Sequence, residues 1–347
     1  MDSLLSILLM AIGSICAASF YVPIKKVKGW SWESYWIVQG IASWILAPWI
    51  FSLFTVPELG TILKNSPSGA VFNTILFGVL WGVGGLTFGL SMRFLGVALG
   101  QSIALGFCAA FGTLIPPVIS GQSLLSTHEG IMMVIGVSIC IAGIAIVGYA
   151  GALKSKNMSE EERKKAIKEF ALKKGLMIAV LAGVMSACMN YGINGIPGFM
   201  DAGNVIQKLA AENGTNPLFV TNPVYIFVMF GGFLTNLVYC LYLNIKNKTY
   251  KDYTSLPASG LINNLLFSFL GGTLWFLQFF FFGMGQSFLP VGMIAFGWSI
   301  LMAMNIIFSN VWGIILNEWK GASAKTIAFL VLGLLVLILS TFVVKLT

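Results

Sequence analysis

Long runs free of Lys, Arg, Asp and Glu alternate along this chain with short polar segments, and the runs make up most of its length. They cover 3–24, 34–57, 65–92, 94–127, 130–153, 175–200, 213–245, 253–317 and 326–344. Eight have the length of a single membrane crossing, about 20 residues as a helix. The run 253–317 is long enough for two. Its break is expected at 287–290, because Pro290 removes a helical hydrogen bond and crowds the preceding turn. The pattern therefore predicts ten spans. A bilayer interior admits only helices or closed barrels, and these runs far exceed the alternating strands of about 10 residues that build a membrane barrel. The expected fold class is an all-α membrane protein of ten transmembrane helices.

Composition agrees with the pattern and excludes a soluble domain. Hydrophobic residues are 57% and charged residues 9% of the 347 positions, and mean hydropathy is +0.89. Soluble domains carry about 25% charged residues. The net charge of +8 does not point to nucleic acid, because its carriers sit in short loops beside the spans. All but Lys64, Lys208 and Lys345 of the 20 Lys and Arg residues lie in the loops on one side, after helices one, three, five, seven and nine. Cytoplasmic loops carry such an excess. Both termini are then expected on the periplasmic side of a bacterial inner membrane. Asp2 replaces the basic start of a secretory signal, so the first span is expected to be retained. Cys16, Cys108, Cys140, Cys188 and Cys240 all fall within predicted spans, at spacings that suggest neither disulfides nor a metal site.

The one long polar segment, 154–174, divides the chain into 1–153 and 175–347. It is strongly basic and contains a helix-favouring run opened by Ser159 ahead of three glutamates. A solvated linker is the expected role. Shifting the sequence by 194 residues aligns the two parts. Leu76, Gly78, Leu80, Trp81, Phe88, Gly89, Phe94, Leu95 and Val97 fall on Leu270, Gly272, Leu274, Trp275, Phe282, Gly283, Phe288, Leu289 and Val291. The shift pairs helix three with helix eight. Five helices is an odd number, so matched segments cross in opposite directions, and the expectation is two inverted five-helix repeats of the kind found in secondary transporters. Gly78 and Gly82, Gly85 and Gly89, and Gly96 and Gly100 repeat at four-residue spacing, which lets neighbouring backbones approach closely. Static packing and sliding faces give the same pattern.

Candidate chemistry is sparse. Every carboxylate lies outside or at the edge of a predicted span, and the only histidine, His128, is expected in the loop before helix five. Proton-driven carriers usually bury a titrating group, whereas sodium needs only neutral oxygens, so the residues alone leave proton, sodium and uncoupled transport open. The spans contain many amides. Amides with nearby indoles suit an uncharged, hydroxyl-rich solute: the amide pairs with hydroxyls, and the ring packs on the apolar face of a sugar. The candidate substrate contacts are Trp275 and Gln278, which share a helix face at i and i+3, Trp81 as the repeat partner of Trp275, and Gln101 on helix four. Tyr21 and Glu33 are candidates for a cytoplasmic gate. Arg93, between two long spans, is either an orientation signal or a gating charge. No phosphate loop, nucleophile elbow, metal cluster or paired carboxylate site is present, so neither an enzyme nor a cofactor is expected.

Several strings resemble the bacterial L-rhamnose-proton symporter family. They are Phe20-Tyr-Val-Pro-Ile-Lys-Lys-Val-Lys-Gly-Trp-Ser-Trp-Glu33, Trp81-Gly82 with Met92-Arg-Phe-Leu-Gly96, Gly112-Thr-Leu114, Asn216-Pro-Leu218, Gly271-Gly272 with Trp275-Phe-Leu-Gln-Phe-Phe-Phe281, and Glu318-Trp319. The resemblance extends over essentially the whole chain. It implies a drug/metabolite transporter superfamily member, importing L-rhamnose or a related deoxy sugar with protons.

Overall fold

The computed structural model describes residues 2–121, 123–156 and 171–347. Among these, ten helices are long and apolar enough to cross a membrane. They are α1 (Ser3–Ile24), α2 (Trp32–Thr55), α3 (Ser68–Leu95), α4 (Leu99–Ile119), α5 (His128–Lys156), α6 (Leu172–Asn194), α7 (Pro217–Asn247), α8 (Ala258–Gln286), α9 (Val291–Ile315) and α10 (Ala324–Leu346). The longest apolar run does break as expected, with α8 ending at Gln286 and α9 starting at Val291. His128 differs from its expected loop position. It opens α5, and its Nε2 lies 2.7 Å from the Leu346 carbonyl. The run opened by Ser159 in the expected linker lies outside the described residues. Two short helices, Leu59–Asn65 and Gly203–Glu212, lie between spans on the lysine-poor side and pack together through Leu59, Ile62, Ile206 and Ala210.

The outer surface is apolar, with Leu8, Phe54, Phe72, Val238, Ile262 and Leu339 all exposed, as a lipid-facing surface requires. Lipid tails are as apolar as these side chains, so helices in a bilayer associate through close backbone approach and hydrogen bonds rather than by escaping water. α3 shows how. Its Gly84 faces the backbone of Met185 and Ser186 on α6, while Gly78 and Gly82 face Val228, Gly231, Gly232 and Thr235 on α7. Thr235 Oγ1 donates to the Val79 carbonyl at 2.9 Å across the same seam. The spacing of Gly78 and Gly82 is thus a packing face. It does not continue, since an added Cβ at Gly85 or Gly89 would meet nothing within 4 Å.

α8 is packed in a corresponding way. Gly272, which the 194-residue shift places on Gly78, faces the Gln39 carbonyl, Ala42 and Ser43 of α2. Gly13 of α1 faces Gln278 and Phe281 of α8. Exchanging every helix with the one five places along turns the α3–α7 contact into α8–α2 and the α3–α6 contact into α8–α1, and leaves the α5–α10 contact unchanged.

α2 departs from regular geometry. Residues Ile41–Leu46 form a π-helical turn just before Pro48. Proline cannot donate to the carbonyl four residues back and its ring crowds that turn. The widened turn accommodates this and carries Trp44 inward, where it is 3% exposed.

Candidate functional site

Near the middle of the bundle, three helices bring their tryptophans into one layer. Trp44 of α2 lies edge-on to Trp81 of α3 and to Trp275 of α8, with ring centroids 6.0 and 5.7 Å away, and Trp81 and Trp275 are 5.7 Å apart. Phe279 adds a fourth ring, 5.2 Å from Trp275, and Trp36 lies 5.8 Å from Trp44. Edge-to-face pairs of this kind contribute about 0.5–1.5 kcal/mol each beyond the area they bury. Gly232 of α7 is what admits the Trp81 ring, since a Cβ there would overlap it. Gln278 lies one turn beyond Trp275, 5% exposed, and its amide is engaged within the protein. Its Nε2 donates to the Trp275 carbonyl at 3.1 Å, and its Oε1 accepts from Asn305 Nδ2 at 3.2 Å.

Above this layer, toward the lysine-poor side, is a cavity of about 480 Å³. Its walls come from the ends of α4, α6 and α8, the starts of α7 and α9, one side chain of α5 and the short helix Gly203–Glu212. Val291 and Ser287 are exposed on its rim, while Asn190 and Thr221 are buried in its wall. Met133 and Gly283 reach it from deeper positions. Trp298 is buried against Phe282 and the Gly112 backbone. The polar groups on the cavity are Asn190 and Asn194 of α6, Asn204 and Gln207 of the short helix, Gln286 and Ser287 at the end of α8, Ser120 and Thr221. Among the described residues, no carboxylate and no Lys or Arg belongs to this lining.

At the opposite, lysine-rich end, the loop between α1 and α2 is clasped to the segment between α7 and α8. Glu33 Oε1 accepts from Asn247 Nδ2 and Thr249 Oγ1, both at 2.9 Å. Asp252 Oδ2 accepts from the Ser31 backbone N–H at 2.7 Å and the Ser34 hydroxyl at 2.8 Å, and the Asp252 carbonyl accepts from Trp30 Nε1 at 2.9 Å. Asn264 pairs with both backbone groups of Lys28, at 3.0 and 2.7 Å. Burial pushes the Tyr253 hydroxyl of this clasp above its ordinary pKa, and its O–H donates to the Ser34 carbonyl at 3.4 Å.

Among the candidates from the sequence, Trp81, Trp275 and Gln278 come together in the aromatic layer, below the cavity rather than on its wall. Gln101 is in the first turn of α4, 15 residues before the cavity-lining Pro116, which at 1.5 Å per residue is about 22 Å along the helix. Arg93 is exposed at the lysine-rich end of α3, Tyr21 is 60% exposed near the end of α1 with its ring 4.0 Å from that of Phe20, and Glu33 is 6% exposed in the clasp. Asn204, Gln207 and Gln286 escaped the sequence reading. The first two belong to a short amphipathic helix outside any long apolar run, and Gln286 sits at the helix break. Polar residues flanking a break in a double-length run were the available signal.

The chain matches the L-rhamnose-proton symport protein family over residues 2–347. It is 38% identical over 346 residues to an L-rhamnose-proton symporter of Cronobacter sakazakii, covering 99% of this chain and 97% of that protein. The protein of the same description from Klebsiella pneumoniae is 39% identical over 341 residues, covering 96% and 95%. That from Yersinia pestis is 37% identical over 347 residues, covering 99% and 97%.

Proposed function

This chain belongs to the L-rhamnose-proton symport protein family, and from that premise we propose that it imports L-rhamnose with protons by alternating access. The observation that carries this reading is one amide-lined, charge-free cavity on the lysine-poor side, above an aromatic layer and a clasped lysine-rich end. Positive loops favour the cytoplasmic side, which makes the cavity periplasmic, both termini periplasmic and this arrangement outward-facing. A volume of about 480 Å³ accommodates one monosaccharide. The sugar would enter from the periplasm, and release inward requires the tryptophans to separate and the clasp to open.

Two inverted five-helix repeats, 1–153 and 175–347, account for that exchange. The interchangeable helix contacts support this division, because two like halves of opposite sense can adopt mirrored arrangements of similar energy. In this scheme Trp81, Trp275 and Gln278 line the path below the cavity and meet the sugar as it passes inward. Tyr21 and Glu33 belong to the cytoplasmic gate, and Gln101 and Arg93 to the cytoplasmic half of the route. For the proton, two carboxylates touch lining residues: Glu129, whose Cβ and Cγ pack against rim residue Gly292, and Asp201, whose Oδ1 accepts from Asn204 Nδ2 at 3.1 Å; Glu33 is the carboxylate buried in the clasp.

Reconstituted protein is expected to exchange labelled L-rhamnose in counterflow, with saturation. A vesicle lumen more alkaline than the bath should accelerate net uptake, and a sodium gradient at constant pH should not. Absence of L-rhamnose exchange under every gradient would overturn the substrate; acceleration by sodium alone would overturn the coupling ion.

A further inference from the structure

Which atoms the cavity presents to its ligand follows from where each amide nitrogen is already engaged. A backbone carbonyl only accepts, so the side-chain atom against it must be nitrogen, whatever the initial choice of amide orientation. Asn190 Nδ2 meets the Gly112 carbonyl at 2.8 Å, which leaves its Oδ1 to accept from Asn194 Nδ2, also at 2.8 Å. That bond in turn fixes Asn194 with its own Oδ1 unused. Gln207 Nε2 donates to the Ile193 carbonyl at 2.7 Å, and Gln286 Nε2 to the Ile294 carbonyl at 3.4 Å. Asn204 is the exception, because its Oδ1 accepts from the Ala202 N–H at 2.8 Å.

The result is a directional polarity. Three residues on three separate elements, Asn194 on α6, Gln207 on the short helix and Gln286 on α8, line one cavity, and among the described residues no protein donor bonds their side-chain carbonyl oxygens. Gln286 is 7% exposed, and its Oε1 is buried without a partner. A buried acceptor left unpaired is costly, and a ligand hydroxyl relieves that cost by donating. A carboxylate or phosphate has no proton to give and would meet oxygen lone pairs, with no Lys or Arg on the wall to compensate.

We infer that the cavity holds its ligand by accepting hydroxyl protons at Asn194, Gln207 and Gln286, so that it selects neutral polyhydroxy solutes and excludes sugar phosphates and uronates. The inference rests on the cavity being the sugar site proposed above, and it adds the residues and the hydrogen-bond direction that read the sugar.

The test is calorimetric binding to the purified protein in nanodiscs, using L-rhamnose and analogues with one ring hydroxyl at a time replaced by fluorine. Fluorine nearly preserves size but cannot donate. At two or more positions the affinity should fall by roughly tenfold or more, because an acceptor is left unpaired. In Gln286→Met, which keeps length without the amide, parent affinity should fall by a similar factor. The fluorine penalty at the hydroxyl served by Gln286 should then vanish, the non-additivity of a direct contact. The anionic 1-phosphate should not bind. Fluorinated sugars that all bind like the parent overturn the acceptor assignment without needing any variant to fold, and so does phosphate binding at parent affinity. A wild type that binds no L-rhamnose contradicts the substrate reading instead. The fluorine series is then run on the neutral sugar selected by counterflow, and failure to bind any neutral sugar overturns both.

Discussion

Replacing Gly78 by alanine is expected to cost most of the protein's folded yield, while the same change at Gly85, two turns along the same helix, should be harmless. A Cβ at Gly78 would overlap the Val228 carbonyl of α7, and one at Gly231 would overlap the Ile75 carbonyl of α3. Neither obstacle is a flexible side chain. The two helices would have to separate, losing the Thr235 to Val79 bond and the seat that Gly232 provides for the Trp81 ring. Overpacking a core costs about 1–3 kcal/mol where side chains can yield, and here the upper end or more is expected because backbone must move. At Gly85 the added methyl meets open space, and helix propensity alone favours alanine by roughly 0.5–1 kcal/mol. Thermal unfolding of detergent-solubilised protein, followed by fluorescence-detected size exclusion, separates the two variants. Equal midpoints for both would mean that α3 and α7 do not approach as described.

The second large effect should appear at the clasp. Asp252→Ala removes the acceptor of the Ser31 N–H and Ser34 hydroxyl bonds, 2.7 and 2.8 Å long. Hydrogen bonds to a charged group are worth about 1.5–3 kcal/mol each. Losing even about 3 kcal/mol from one of two balanced states shifts their ratio roughly a hundredfold. A native reporter sits beside the clasp: Cys240 on α7 is fully buried, one helical turn from Asn244 and two from the Glu33 partner Asn247. In inside-out vesicles, Cys240 of the Asp252→Ala protein should react many times faster with a membrane-impermeant maleimide than in the parent, as read by peptide mass spectrometry. Asp252→Asn, which keeps an acceptor without the charge, should fall between. Unchanged labelling in both would show that these bonds do not hold the lysine-rich end shut.

Both predictions depend on contacts that the chain only partly announces. The Gly78 and Gly82 face was legible because small residues four apart must lie on one side of a helix, but the same spacing at Gly85 and Gly89 meets no neighbour. The partnership of Trp81 with Trp275 was legible through the 194-residue shift. Trp44 was not, because the π-helical turn that swings it between them has no counterpart in hydrophobic periodicity, and Pro48 marks only its far edge.

Ten spans, a break at Pro290, lipid-facing apolar surfaces and a strong lysine asymmetry were determined by the sequence itself. Each answers to solvent alone: a bilayer tolerates no unpaired backbone and almost no charge, so length and charge suffice. The location of the cavity was decided only by tertiary structure. Gln278 and Gln286 are the same residue type on the same face of one helix, yet one amide is consumed by Trp275 and Asn305 while the other leaves its oxygen buried and unpaired at the cavity wall. Which of them meets a ligand depends on the carbonyls and donors that other helices bring within about 3 Å, and that distance is set by how the glycine seams let those helices pack.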